Sequence, residues 1–148
     1  YPSVHQLADQ LLANNIDFAP SVAYYQLPLE IAQADVCLAG PFGTTGKAGR
    51  VIPGKLFQFL AMARPAIAGD APANRELLTN RRDALLVPPG QPEALAGAIL
   101  AIKQDDRLRE TLATQGYRRY QTQASEEIVG QKLYQLIDIA AKAGESRK

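Results

Sequence analysis

The stretch from Gly40 to Ala61, GPFGTTGKAGRVIPGKLFQFLA, gathers glycines, two threonines, two lysines and an arginine between an apolar run and an amphipathic one. A glycine-rich loop between a strand and a helix is a phosphate-holding arrangement, because backbone amides converge there and a lysine adds charge. Two placements of the anion compete. A Walker A loop requires four residues between its glycines and a hydroxyl after the lysine. Here five residues separate Gly40 from Gly46, and Ala48 follows Lys47. Residues Ala48 to Ile52 then lead to a proline rather than into a helix, so the Walker reading fails and Lys47 falls outside the expected site. The second placement is IPGKLFQFLA. Pro53 suits the first helical position, and Gly54 lets a ligand approach the backbone. Lys55 opposes the helix dipole by about 0.3–1 kcal/mol, a sign that a bound diphosphate reverses. The alternative is a solvated lysine whose stem packs on the loop.

The surrounding elements are those of an α/β protein. Ile16–Ala19, Val36–Gly40, Ala66–Gly69 and Ala84–Val87 are short, continuous apolar runs bounded by Pro, Gly or Asp, which reads as buried parallel strands. Helical patterns fall at Val4–Ala13, Leu27–Ala34, Lys55–Arg64 and near Asn74–Thr79. This alternation predicts a Rossmann-like parallel sheet of four strands, flanked by helices. The last third is helical throughout. One helix opens at Pro92, one is capped by Asp105 or Asp106, and one follows Ser125 as N-cap. The apolar stripe Val129, Leu133, Leu136, Ile137 and Ala140 on the last helix needs a partner surface, and the tail GESRK is expected to fray.

Composition narrows the function classes. The 148 residues carry a net charge of +1, which argues against a broad nucleic-acid surface. No apolar run approaches the roughly 18 residues of a membrane span. The single cysteine, Cys37, lies within an apolar run and reads as core. One cysteine and one histidine make a zinc site untenable, and His5 reads as a surface residue on a peripheral helix. The expected compartment is the cytoplasm, including its inner membrane face.

From about residue 3 to about residue 137 the chain resembles the C-terminal half of group 1 glycosyltransferases, retaining enzymes of the GT-B fold. The segments SVAYYQLPLEIAQADVCLAG, IPGKLFQFLAMARPAIAGD and RELLTNRRDALLVPPGQPEALAGAIL carry the likeness. The resemblance implies a cleft for a nucleotide-sugar donor, facing an N-terminal acceptor domain. It implies that Gly54, Lys55 and Leu56 hold the diphosphate through backbone amides. It puts Gln58 at the ribose-binding carboxylate, Arg50 at the carboxylate that approaches the donor sugar, and the nucleotide base against Pro20, Ser21 and Val22. Glu76 falls on a further family glutamate, here assigned a capping role. No metal or cofactor is implied, since the nucleotide sugar is a substrate.

Departures from the family matter as much. Gln58 binds a hydroxyl without charge assistance, and Arg50 changes the sugar contact outright. The family's opening strand, helix and strand, with the basic pair that stabilises the leaving diphosphate, precede anything present here. The chain is therefore expected to be an inactive fragment that self-associates through an exposed sheet edge. The alternatives are a degenerate nucleotide-sugar binding module, or another GT-B enzyme such as a nucleotide-sugar epimerase.

Overall fold

The computed structural model describes residues 2–19 and 21–145. Three strands, β1 (Cys37–Gly40), β2 (Ala66–Gly69) and β3 (Leu85–Val87), form one parallel sheet in the order β1-β2-β3. Cys37 pairs with Ala66 and Leu38 with Ile67, and Ile67, Ala68 and Gly69 face Leu85, Leu86 and Val87. The helices are α1 (Pro2–Gln10), α2 (Leu27–Gln33), α3 (Gly54–Ala61), α4 (Pro72–Leu77), α5 (Pro92–Gln104), α6 (Asp106–Gln123) and α7 (Glu126–Glu145). Short 3-10 turns occur at Tyr24–Gln26 and Ala48–Arg50.

Period-two side-chain alternation divides the core between the two sheet faces. Ala66, Ala68, Ala84 and Leu86 meet Leu56 and Leu60 of α3 on one face. Ile67, Leu85 and Val87 meet Ala98 and Ile102 of α5, with Leu108 and Leu112 of α6, on the other. The small residues on the first face let α3 lie close. Gly116 of α6 is similarly constrained, since a Cβ there would come 2.8 Å from the Asp83 carbonyl and 2.9 Å from Leu60.

Local signals explain most boundaries. Asp105, rather than Asp106, caps α6 by accepting a hydrogen bond from Leu108 N–H at 2.9 Å. Ser125 Oγ accepts from Ile128 N–H at 3.4 Å at the start of α7. Pro53 is the N-cap of α3, not its first helical residue. Glu76 is exposed near the end of α4, and that helix has no side-chain cap, so the expected capping role is not seen. Buried Asn74 does the local work, donating from Nδ2 to the Gly69 carbonyl at 2.8 Å. Residues 146–148 of the tail lie outside the described residues, and Gly144 and Glu145 belong to α7.

The four-strand expectation is corrected to three. Ile16–Ala19 is irregular, with Ile16 and Phe18 about half exposed and the Phe18 ring 3.8 Å from His5 between centroids. A strand exists only through a ladder partner, and β1, an edge of the sheet, does not pair with this segment. The three remaining strands are contiguous. Beyond Ser125, α7 projects with Val129, Leu133, Leu136 and Ile137 exposed.

Candidate functional site

Ligands of open parallel sheets bind beyond the carboxyl ends of the strands, and a cleft lies there. β1 ends at Gly40, where φ is +70°, and a cis peptide joins it to Pro41. The loop climbs away, turns at Ala48–Arg50 and returns at Pro53 to open α3. Between its two limbs is a cleft of about 570 Å³, with Phe42, Thr45, Lys47, Val51, Pro53 and Lys55 in its lining. Hydrogen bonds tie the neighbouring loops across the sheet end: Gly90 N–H donates to the Phe42 carbonyl and Asp70 N–H to the Val87 carbonyl, both at 2.7 Å. Gly69 lies beneath this junction, where a Cβ would come within 2.0 Å of the Pro41 carbonyl oxygen.

The first turn of α3 supplies the anion-binding geometry. Gly54 has no atom within 4 Å of a would-be Cβ, so its backbone is open to approach. The helix has no side-chain cap, and the first amides of a helix have no intrahelical acceptor. Leu56 differs from the two residues before it. Its N–H donates to the Pro53 carbonyl at 2.9 Å and its side chain is fully buried. Among the described residues, Gly54 and Lys55 are left with the unpaired amides of this first turn, and Lys55 lines the cleft.

The other sequence-derived site residues divide. Arg50 is exposed and folds back onto its own loop, its Nε donating to the Gly46 carbonyl at 3.1 Å. Gln58, one turn beyond Lys55, opens into a second hollow of about 390 Å³ shared with Tyr24, Leu27, Pro28, Phe57 and Tyr120. Ser21 and Val22 are exposed and line neither space, while Pro20 lies outside the described residues. Two residues outside the site expected from sequence also line these spaces: Lys47 shares the cleft with Lys55, and Tyr24 the hollow with Gln58. The signal for Lys47 was the basic, hydroxyl-bearing composition of GTTGK, which does not depend on Walker spacing.

Ionisable groups near the sheet are otherwise committed. Hydrogen bonds from Arg75, at 2.5 and 2.7 Å, hold the Asp70 carboxyl below the usual aspartate range, with partial desolvation opposing them. Burial pushes the Cys37 thiol up, against the nearby Arg64 charge. Among the described residues, no carboxylate, imidazole or thiol lines the main cleft. The arrangement can hold and neutralise an anion, and among the described residues its lining offers no carboxylate or thiol as a nucleophile. No helix among the described residues is long and apolar enough to cross a membrane.

Comparison with known proteins is consistent with this geometry. None of the curated proteins matches the sequence. Among solved structures, the chain is similar to sucrose-phosphate synthase from Thermosynechococcus elongatus, at 22% identity and a TM-score of 0.78, covering 95% of this chain and 34% of that one. It is similar to HepE from Anabaena in complex with UDP-glucose, at 18% identity and a TM-score of 0.79, covering 93% and 36%. A third match is the C-terminal domain of a group 1 family glycosyl transferase, LpcC, from Francisella tularensis, at 18% identity and a TM-score of 0.68, covering 84% and 62%. The chain thus spans about a third of the length of the first two, and these likenesses establish the fold. The family model for glycosyl transferases group 1 matches residues 2–105, more than half of the sequence, and the chain belongs to that family.

Proposed function

We propose that the chain is the donor-binding part of a glycosyltransferase that moves a sugar from a nucleotide-diphosphate donor to an acceptor with retention. The observation that carries this reading is the uncapped first turn of α3, with Gly54 open and Lys55 at the mouth of the cleft beyond the sheet. Family membership supports it, as does the description of HepE in complex with UDP and with UDP-glucose. In this reading the amides of Gly54 and Lys55 and the Lys55 ammonium neutralise the departing diphosphate, which is electrostatic rather than covalent catalysis. Gln58 and the hollow beside it receive the ribose, and an acceptor-binding domain completes the cleft. A polypeptide limited to these residues is expected to turn over no nucleotide sugar.

One observation favours a second reading, that of a binding module without catalysis: among the described residues, no carboxylate or imidazole lines the cleft. The same observation counts against an epimerase, which needs paired proton-transfer groups. The only histidine, His5, sits against Phe18 instead.

Calorimetry with uridine, adenosine and guanosine diphosphates tests the proposal. Lys55→Ala removes a charge-assisted contact worth about 1.5–3 kcal/mol, and is expected to weaken binding roughly tenfold or more. Gln58→Ala is expected to cost less, about 0.5–1.5 kcal/mol, and only for ligands with a ribose diol. Unchanged affinity in Lys55→Ala would place the diphosphate elsewhere.

A further inference from the structure

We propose that the ligand of this cleft carries a second anionic group beyond its diphosphate, a carboxylate on the transferred sugar, and that Lys47 is the residue that reads it. This rests on the donor-binding reading above and narrows it to a class of substrate.

The two walls of the cleft differ in what they offer. The α3 wall presents the Gly54 and Lys55 amides and one ammonium, which matches a diphosphate. The opposite wall, from Pro41 to Val51, lines the cleft with Lys47 and with no acidic residue, while Arg50 turns back onto Gly46. Among the described residues, Lys47, Arg50 and Lys55 form no ion pair with a carboxylate. Positive charge on this wall is thus left uncompensated by the protein.

Hydrogen-bond chemistry points the same way. The hydroxyls of a neutral sugar are donors as well as acceptors, and side-chain acceptors, beside backbone carbonyls, are what a site uses to select them. Thr45 is the one acceptor side chain in the cleft lining, and its Oγ1 already accepts from Ala48 N–H at 3.3 Å. Lys47 can only donate. Cations beside apolar surface suit a group that only accepts, which is what an ionised carboxylate is. Lys47 is also held at a defined place: its carbonyl accepts from Arg50 N–H at 3.1 Å, and the Arg50 side chain ties the turn to Gly46. Lys47 thus begins a hydrogen-bonded turn rather than lying in a free loop.

The test titrates this chain by calorimetry with the three nucleoside diphosphates, then with the hexose and hexuronate conjugates of the base that binds. The wild type is expected to bind the hexuronate conjugate roughly tenfold more tightly than the hexose conjugate, the scale of one charge-assisted contact. Lys47→Ala is expected to abolish that preference while leaving the plain diphosphate within about twofold, and Lys47→Arg to retain it. Equal binding of the two conjugates by the wild type overturns the inference alone. An equal loss for the plain diphosphate in Lys47→Ala also overturns it, and assigns Lys47 to the phosphates. Failure of every nucleoside diphosphate to bind overturns the donor-binding reading, and the inference falls with it.

Discussion

Arg119 of α6 donates twice to one oxygen of the buried Asp83 carboxylate, from Nε at 3.1 Å and from an Nη at 3.0 Å. That same oxygen accepts from Thr79 N–H at 2.9 Å. Asp83 is 1% exposed, so its charge is tolerable only because these donors surround it. The pair fastens α6 to the segment that leads into β3, at the edge of the sheet remote from β1.

Breaking the pair from one side leaves that carboxylate buried without its cation. Arg119→Met is expected to destabilise the fold by about 2–3 kcal/mol. Arg82, 3.9 Å from the other Asp83 oxygen and mostly exposed, provides the control, and Arg82→Met is expected to change stability by less than about 0.5 kcal/mol. Urea denaturation of the two variants measures both.

Two glycines near the cleft separate folding from binding. Gly69→Ala puts a methyl group into the Pro41 carbonyl, and is expected to destabilise by about 3 kcal/mol, since neither backbone can yield. Gly54→Ala meets open space and is expected to stabilise by about 0.4–1 kcal/mol. It should nevertheless weaken nucleoside diphosphate binding, because the methyl group occupies the approach to the α3 amides. Thermal melts and calorimetry on the same samples read the two effects apart.

Asp70 gives the acid limb of stability a local cause. Its folded pKa lies below the ordinary 3.8 because Arg75 hydrogen-bonds the ionised form. The contribution is therefore fully present above about pH 4 and is lost as pH falls through the depressed value. Asp70→Asn is expected to be less stable than the wild type at neutral pH. The gap should close as pH falls from about 4 toward 2. A gap independent of pH across that range would remove Asp70 as the titrating group.

Cys37 is buried at the start of β1, and its thiol is pushed up by that burial. Little thiolate exists at neutral pH and reagents reach it poorly. Iodoacetamide is expected to label the native protein slowly and the urea-unfolded protein rapidly. Mass spectrometry along a urea series should show the change at the unfolding midpoint.

Much of the molecule was legible in the residues themselves. The runs ending at Gly40, Gly69 and Val87 are short, continuous and apolar, and a strand covered on both faces must read that way. Asp105, Ser125 and Pro92 mark helix starts through backbone chemistry local to a few residues. Gly54 and Lys55 stood out because a cation in a first helical turn needs a reason. Tertiary structure decided the rest. Ile16–Ala19 has strand-like composition, but a strand is a relation between segments, and among the described residues no ladder partner pairs with it. The glutamate assigned to capping, Glu76, is exposed, while Asn74 and Asp83 became the buried polar residues that fasten neighbouring segments. Lys47 is eight residues from Lys55, and spacing alone set it outside the site. Only the fold of the loop from Pro41 to Pro53 back over the end of β1 brought the two lysines to one cleft, because the path of an irregular loop is set by contacts distant in sequence.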